Sequence, residues 1–200
     1  MFIAFEGVDG TGKSTQLERC QAWIESLGRE VLVCRDPGST PLGLKLRELL
    51  LKRSELQIDI ESEMFLFMAA RAQMVAELIL PALAQGRCVL CDRFLLSTVV
   101  YQGYAGNLDP QKIWEIGSVA TRGCQPDLTL VFDAPLEVAM QRLGTGRDRM
   151  ESRGNAFFAA VRNGFLTEAA NHDTLRVVDA SGAAAEIHDH VRKAIEPFFK

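Results

Sequence analysis

The segment at residues 7–14 matches the pattern G-x-x-x-x-G-K-[ST] at every fixed position. Glycines in such a loop adopt torsions that other residues avoid, so successive N–H groups point into one hollow that suits phosphate. The positive end of the following helix dipole adds to that preference. In this pattern the lysine reaches the β- and γ-phosphates and the serine hydroxyl ligates Mg²⁺. The residues of this loop that are predicted to bind a nucleotide are Gly7, Asp9, Gly10, Thr11, Gly12, Lys13, Ser14 and Thr15, and the loop alone does not decide between ATP and GTP.

The residues on either side of the loop give it a credible context. Residues 1–5 form a short apolar run, and the apolar residues from Ser14 to Leu27 recur at spacings of three and four. These patterns predict a strand before the loop and a helix after it, which is the setting in which the motif binds nucleotides. The alternative is a glycine-rich turn that binds nothing.

Five short apolar runs alternate with helical patterns along the chain. The runs at residues 1–5, 31–34, 86–93, 126–133 and 175–178 predict buried strands. We therefore expect an α/β fold of the P-loop NTP hydrolase type, with a five-stranded parallel sheet and helices on both faces. The chain of 200 residues, 48% hydrophobic, suits one domain over residues 1–200.

Composition narrows the classes of partner. A net charge of -4 argues against a broad nucleic-acid surface. No apolar run approaches the ~20 residues that a membrane span needs, and no signal peptide is visible at the N-terminus. Cys88 and Cys91 have the spacing of a metal or redox pair, but residues three apart in a strand point to opposite faces. We expect a cytoplasmic protein without a membrane or nucleic-acid partner, in which all five cysteines are structural.

A long helix is expected at residues 61–85. It is apolar nearly all round at residues 64–70, so it must be buried on more than one side. Pro81 is expected to bend the helix or to end its regular portion. The apolar surplus, on the side away from Phe67, predicts a self-complementary face and a homodimer through this helix.

Basic residues collect where strands end. Arg35 follows the second strand, Asp92 and Arg93 end the third, and Arg71 lies on the long helix. The segment at about 144–154 holds three glycines and three arginines, as a closing lid over phosphates would. This is more positive charge than one triphosphate needs, which indicates a second anionic ligand. A nucleotide kinase must hold two phosphorylated molecules end to end.

Six segments in the same order resemble the thymidylate kinase family: 7–15, 35–40, 67–71, 92–94, 97–103 and 126–129. The similarity is collinear from the first residues to about Phe165. It implies an enzyme that transfers the γ-phosphoryl group of MgATP to dTMP, giving dTDP for dTTP synthesis. Each segment after the loop is weak by itself, and the order of all six carries the resemblance.

The resemblance implies the contacts that the nucleoside would make. Phe67 would stack on the thymine ring, and Arg71, one helical turn later, would donate to the base O4. Thr98, with Ser97, would meet the N3 edge. The remaining implied contacts are Tyr101 beside the sugar 2′ position, Gln102 next to it in the dTMP site, and Pro37 near the 5-methyl group.

The resemblance also implies how the phosphates are held. Arg35 and Arg93 would bind the acceptor phosphate, and Asp9 would touch the 3′-hydroxyl and orient the neighbouring arginine. Ser14 and Asp92 would hold Mg²⁺, directly or through water. Because the acceptor phosphate is already ionised, no general base is needed, and charge neutralisation is the main catalytic effect.

One further arginine is expected to neutralise the moving phosphoryl group. Since the variable loop positions are Gly10 and Thr11, this sequence resembles the family members that supply the arginine from the lid. Arg147 is the first choice, with Arg149 and Arg142 behind it, and all three are predicted to contact ATP. The predicted catalytic residues are Lys13, Arg93, Arg147 and Asp9.

Two positions depart from the family's pattern. The family usually has Glu and Gly where this chain has Asp36 and Ser39, which puts the geometry of the acceptor loop in question. Three other hypotheses remain open: a kinase of the same fold for another nucleotide, a nucleotide-dependent switch, and a scaffold with a degenerate loop. Arg71 argues against a cytosine acceptor, and the intact Lys13 and Ser14 argue against the scaffold.

Overall fold

A computed structural model describes residues 1–52, 56–143, 149 and 153–199. Within them lies one sheet in the spatial order β2-β3-β1-β4-β5, and every pairing is parallel. This confirms the predicted five-stranded parallel sheet. The strands are β1 (Phe2–Gly7), β2 (Val31–Arg35), β3 (Cys88–Asp92), β4 (Leu128–Asp133) and β5 (Leu175–Asp179).

Helices connect the strands and cover the sheet. The α-helices are α1 (Lys13–Ser26), α2 (Pro41–Leu51), α3 (Ile60–Met74), α4 (Leu80–Ala84), α5 (Leu95–Thr98), α6 (Pro110–Ala120), α7 (Leu136–Leu143), α8 (Asn155–Asn171) and α9 (Ala184–Ile195). π-Helical turns follow α3 at Val75–Ile79 and α5 at Val99–Tyr104, and a 3₁₀ turn at Glu196–Phe199 follows α9.

The alternation of side chains along the strands builds a core on each face of the sheet. Ile3 and Phe5 pack with α1 and α9, whereas Phe2 and Ala4 pack with α3, α5 and α6. Successive strand residues point to opposite faces, which explains why all six positions of β1 are buried. Cys88 and Cys91 follow the same rule in the two separate clusters, and all five cysteines are free thiols.

The long helix is continuous from Ile60 to Ala84 but changes its winding before Pro81. The Leu80 N–H bonds to the Val75 carbonyl, five residues back. Because proline lacks a donor and crowds the carbonyl four residues earlier, a π-turn there accommodates it without ending the helix. By length and composition this helix would suffice to cross a membrane, although 44% of its most apolar window is buried inside the protein. Core helices of soluble proteins meet the same criterion.

The register brings the carboxyl ends of the strands together. Arg35 lies beside Asp92, and Phe5, two residues before the end of β1, lies beside the same Asp92. Open parallel sheets bind ligands at this edge. Most of the predicted lid at 144–154, including Arg147, lies outside the described residues.

Candidate active site

The glycine loop is shaped by close packing against α7. Gly10 has φ 84°, and a Cβ atom there would lie 2.1 Å from the carbonyl oxygen of Ala139. Gly12 has φ 85° and occupies the N-cap position of α1, and no side chain there accepts a hydrogen bond from the first N–H groups of the helix. The first N–H groups of α1 are therefore left for a ligand, and a helix N-terminus favours an anion.

Lys13 is buried at the mouth of this loop, with 6% of its side chain exposed. Its Nζ donates to the Val8 carbonyl at 2.9 Å and lies 3.7 Å from Asp9 Oδ1. Burial and the charge of Arg93 lower the pKa of Lys13 to about 8, against the opposing effect of Asp9 and other carboxylates. A phosphate group beside the ammonium would stabilise its charged form.

Two hard oxygen donors meet near the start of α1. Ser14 Oγ donates to Asp92 Oδ2 at 3.4 Å, and Arg35 Nε lies 3.4 Å from the same carboxylate oxygen. A hydroxyl and a carboxylate suit Mg²⁺, which takes few protein ligands when phosphates complete its shell. The described residues hold no cluster of three acidic, histidine or cysteine side chains that would form a metal site without a nucleotide.

A cleft opens beside the loop, with about 600 Å³ of empty space counted out to the solvent. All ten residues predicted to contact dTMP line it, together with Asp36, Arg47 and Leu51. The ten are Asp9, Arg35, Pro37, Phe67, Arg71, Arg93, Ser97, Thr98, Tyr101 and Gln102.

Arg93 joins the cleft to the glycine loop. Its Nη2 donates to Asp9 Oδ1 at 2.5 Å, its Nη1 donates to Ser97 Oγ at 3.0 Å, and its guanidinium lies 5.3 Å from the Tyr101 ring centroid. Although burial favours the neutral acid, Arg93 and Lys13 hold the pKa of Asp9 well below its usual range. The backbone of Arg93 has φ 68°, a left-handed conformation anchored by its N–H bond to Phe5.

Arg71 lies at the floor of the cleft and is only 1% exposed. Its Nε donates to Asp36 Oδ2 at 2.6 Å, and its Nη2 donates to Thr98 Oγ1 at 2.9 Å and to the Phe94 carbonyl at 3.2 Å. The other oxygen of Asp36 is buried and has no hydrogen-bond partner among the described residues. Phe67, one turn earlier on α3, is also buried at the cleft.

Ser39 shows how one departure from the family's pattern is accommodated. It has φ 64°, in the left-handed region where glycine is preferred. Its hydroxyl accepts the Arg35 N–H at 2.8 Å, and this local bond helps to offset the cost of the torsion. A serine therefore closes the turn after β2, where glycine would need no side-chain bond.

The described arginines of the predicted lid are bound to a buried carboxylate. Glu63 is fully buried and forms ion pairs with Arg149 and with Arg153, the latter at 2.8 Å. Glu63 also accepts from Gln102 Nε2 at 2.8 Å, which ties this cluster to the cleft. Arg142 instead donates to the Ala180 carbonyl at 2.7 Å, in the loop after β5.

Sequence reasoning missed two buried acids at the site, Glu6 and Glu63. Glu6 accepts from the N–H groups of Phe94 and Ser97 and from the Ser97 hydroxyl. Glu6 interrupts an otherwise apolar run in β1, and a charge at such a position is the signal that could have found it, because buried acids are rarely left unpaired. Glu63 follows Glu61 and Ser62 at the polar start of α3, so no local signal separates it from solvent-facing neighbours.

Comparison with known proteins identifies the family of the chain. Residues 5–191 match the family model described as thymidylate kinase. The chain is 47% identical over 197 residues to a thymidylate kinase of Rhodopirellula baltica, covering 98% of this chain and 80% of that protein. It is 42% identical to one from Oleidesulfovibrio alaskensis, covering 100% and 99%. A crystal structure of thymidylate kinase from Ehrlichia chaffeensis superposes with a TM-score of 0.79 at 30% identity, over 98% of both chains. The chain belongs to the thymidylate kinase family.

Proposed function

We propose that the cleft and the glycine loop hold dTMP and MgATP in line, so that the kinase transfers the γ-phosphoryl group directly from ATP to dTMP. The observation that carries this proposal is the ion pair between Arg93 and Asp9, where the cleft meets the glycine loop. Arg93 Nη2 and Asp9 Oδ1 lie 2.5 Å apart. Asp9 belongs to the glycine loop and also lines the cleft, and it lies 3.7 Å from Lys13. Two mutually repelling anions brought to this pair would meet cationic groups from both sides.

Charge neutralisation performs the chemistry in this proposal. Lys13 and the amides of the loop take the β- and γ-phosphates of ATP, while Arg93 and Arg35 hold the phosphate of dTMP. The acceptor is already ionised at neutral pH, so no residue has to remove a proton from it. Ser14 and Asp92 would hold Mg²⁺, which would supply positive charge beside the phosphates of ATP. Arg142, Arg147 and Arg149 are proposed as the further arginines that contact ATP.

The nucleoside contacts follow the lining of the cleft. Phe67 supports the flat base, Arg71 donates to its O4, and Thr98 faces the N3 edge. The short contact between Arg71 and Asp36 supports this arrangement, because it fixes the planar guanidinium in one orientation. Tyr101 is proposed to exclude a 2′-hydroxyl, since its ring is packed against Phe157 and Phe165 and has little room to move.

A coupled ADP-release assay with MgATP and each nucleoside monophosphate in turn tests the proposal. We expect dTMP to be the best acceptor, with dUMP weaker and the cytosine and purine nucleotides inert. Arg93→Lys should raise the KM for dTMP by about tenfold or more, because a bidentate planar donor is lost. Arg176→Lys, on the outer strand β5, is the matched control and should leave both constants unchanged. An enzyme inert toward dTMP, or an unchanged KM in Arg93→Lys, would contradict the assignment.

A homodimer through α3 is part of the proposal. Phe65 is 55% exposed on α3, and the neighbouring small residues Ala69, Ala72 and Ala76 follow it at helical spacing with exposed or half-buried surfaces. An apolar stripe of this kind suits a second copy of the same helix. Phe65→Asp should convert a dimer to a monomer in light scattering at micromolar concentration, whereas Phe198→Asp should not. A monomeric wild type would remove this part of the proposal.

The location of the enzyme and the extent of its domain are also part of the proposal. Five free thiols suit a reducing compartment, which supports a cytoplasmic enzyme. The single sheet with one core on each face supports one domain over residues 1–200, with the lid at about 144–154. Limited proteolysis should cut first within 144–154 and more slowly when both substrates are present.

A further inference from the structure

Glu6 is a charged residue inside the sheet that the mechanism above does not use. It is 0% exposed and lies in β1, directly before the glycine loop. Its Oε1 accepts from the N–H groups of Phe94 and Ser97 at 2.8 and 3.2 Å, and its Oε2 accepts from Ser97 Oγ at 2.5 Å. The carboxylate thus receives three hydrogen bonds from the segment that leads from β3 into α5.

The Ser97 hydroxyl connects Glu6 to Arg93. A hydroxyl has one proton to donate and two lone pairs. Because the Ser97 proton points to Glu6, the oxygen presents a lone pair to Arg93 Nη1, which lies 3.0 Å away. The opposite orientation would aim the hydroxyl proton at a guanidinium that has only donors to offer.

We propose that Glu6 is a positioning residue for phosphoryl transfer, because it fixes the Ser97 proton and thereby holds the Arg93 guanidinium in line with the acceptor phosphate. The inference rests on the proposed role of Arg93 in binding that phosphate. It assigns Ser97 to the phosphate end of dTMP through Arg93, rather than to the N3 edge of the base. Ser97 Oγ accepts from Nη1 of Arg93 and Asp9 Oδ1 accepts from Nη2, so the two residues fix different nitrogens of the same guanidinium.

Protonation of Glu6 would let its carboxyl group donate to Ser97 Oγ, and the Ser97 proton would then turn away from Glu6. Burial raises the pKa of Glu6 to about 7, although Arg93 and the bonds from Ser97 and Phe94 oppose the rise. Glu6 is therefore ionised above pH 7 and protonated below it. Among the described residues, the ionisable groups that interact electrostatically with Glu6 include Arg93, Lys13 and Tyr101. His172 lines a cavity that Glu6 also lines.

Glu6→Gln tests the inference because glutamine keeps the shape of the side chain. Its amide N–H would donate to Ser97 Oγ, so the Ser97 proton could no longer point toward residue 6. The hydrogen bond from Arg93 Nη1 to Ser97 Oγ would then be weaker. We expect kcat/KM for dTMP at pH 8 to fall by about tenfold or more, as for the loss of a hydrogen bond to a charged group. The KM for ATP should stay within about twofold. Glu168→Gln is the control, since Glu168 is a buried acid bonded to Tyr104 and Trp114 outside the cleft.

The pH profile and a double-variant cycle separate positioning from a structural role. The acceptor phosphate itself ionises near pH 6, so log kcat/KM of both enzymes should rise by about one unit per pH unit below pH 6. Protonation of Glu6 should cost the wild type about one further log unit between pH 8 and pH 6, whereas Glu6→Gln should lack this step, so the two enzymes should converge at low pH. In a Ser97→Ala background, where Arg93 has no hydroxyl to meet, Glu6→Gln should change kcat/KM by less than about twofold.

Three results would overturn the inference: an unchanged kcat/KM in Glu6→Gln, a step near pH 7 that persists in Glu6→Gln, or an equal loss in the Ser97→Ala background. Failure of the proposed function gives a different signature, namely a wild type inert toward dTMP or an Arg93→Lys variant with normal dTMP binding. Melting temperatures of Glu6→Gln and Glu168→Gln show whether a loss of activity in either variant is caused by unfolding. If Glu6→Gln is unfolded, Ser97→Ala alone should reproduce the loss in kcat/KM, and a Ser97→Ala enzyme with wild-type kcat/KM would overturn the inference.

Discussion

The two halves of the proposed active site are built in different ways. The centre of the proposed donor half is one contiguous segment, residues 7–15, whose shape comes from backbone torsions and from packing against the Ala139 carbonyl. The acceptor half takes side chains from the ends of β1, β2 and β3, from α3, and from the helix that begins with α5. Charge pairs such as Arg71–Asp36 and Arg93–Asp9 fix those side chains. Substitutions of loop glycines or of Lys13 should therefore have the strongest effects in the donor half. In the acceptor half, the strongest effects should come from substitutions of buried carboxylates.

The largest effect is expected from Lys13→Ala, the one donor-half change that removes a charge. Loss of the ammonium should lower kcat by roughly 10²- to 10³-fold or more, because a preorganised cation at the moving phosphoryl group is removed. Binding of dTMP should change little, since Lys13 does not line the cleft. Single-turnover kinetics and dTMP titration check this, with Lys45→Ala on α2 as the control. A Lys13→Ala enzyme with near-normal kcat would break the comparison.

In the acceptor half, Asp36→Asn should cause the largest loss of stability. It leaves the Arg71 guanidinium, 1% exposed, without its buried counter-charge. Breaking such a pair costs about 3–5 kcal/mol in the free energy of unfolding. Urea denaturation with and without dTMP measures it.

Gly10→Ala tests the backbone origin of the donor half. The added Cβ would lie 2.1 Å from the Ala139 carbonyl and would force an alanine to φ 84°. We expect a loss of about 2 kcal/mol in stability and weaker ATP binding, because the loop or α7 must move. Gly28→Ala, also at positive φ but in open space, controls for the torsion alone. Equal effects at the two positions would show that packing against α7 is unimportant.

Glu63→Gln should have the smallest effect, although it is also a change from a buried carboxylate to an amide. Its cationic partners Arg149 and Arg153 are 19% and 25% exposed, so water can solvate them after the change. We expect a loss of only about 1 kcal/mol, well below that of Asp36→Asn. The same urea denaturation compares the two variants. A loss as large as that of Asp36→Asn would show that partner exposure does not decide the cost.

The contrast between the halves also explains what could be predicted from sequence. The strands and the glycine loop depend on local patterns, apolar runs and a fixed motif, and the parallel sheet follows from them. The acceptor residues came from resemblance, because no local pattern separates Phe67 as a base contact from its apolar neighbours Phe65, Leu66 and Met68. Their convergence on one cleft is a structural finding, while their individual roles stay predictions.

Other features depend on specific contacts that no sequence pattern predicts. The Ser39 hydroxyl accepts the N–H of Arg35, and this bond helps to compensate a substitution that looked unfavourable from the family's pattern. Glu6 meets a segment about 90 residues away, so its role is not visible in β1 alone. The π-turn at Val99–Tyr104, which contains Tyr101 and Gln102, has no sequence signal that we could use. Such contacts form only after the chain has folded around them.

The left-handed backbone of Arg93 has a consequence for laboratory evolution. A residue with a side chain is strained in that conformation by roughly 1–2 kcal/mol. Glycine would relieve the strain but would delete the hydrogen bonds that Arg93 donates to Asp9 and Ser97, so the two effects oppose each other. In a library varied at position 93 and screened only for heat tolerance, enrichment of glycine would show that the strain is the larger effect, and retention of arginine would show that the charge pair is. Ranking the same library by activity toward dTMP should select arginine, so the position measures how far selection trades stability for turnover.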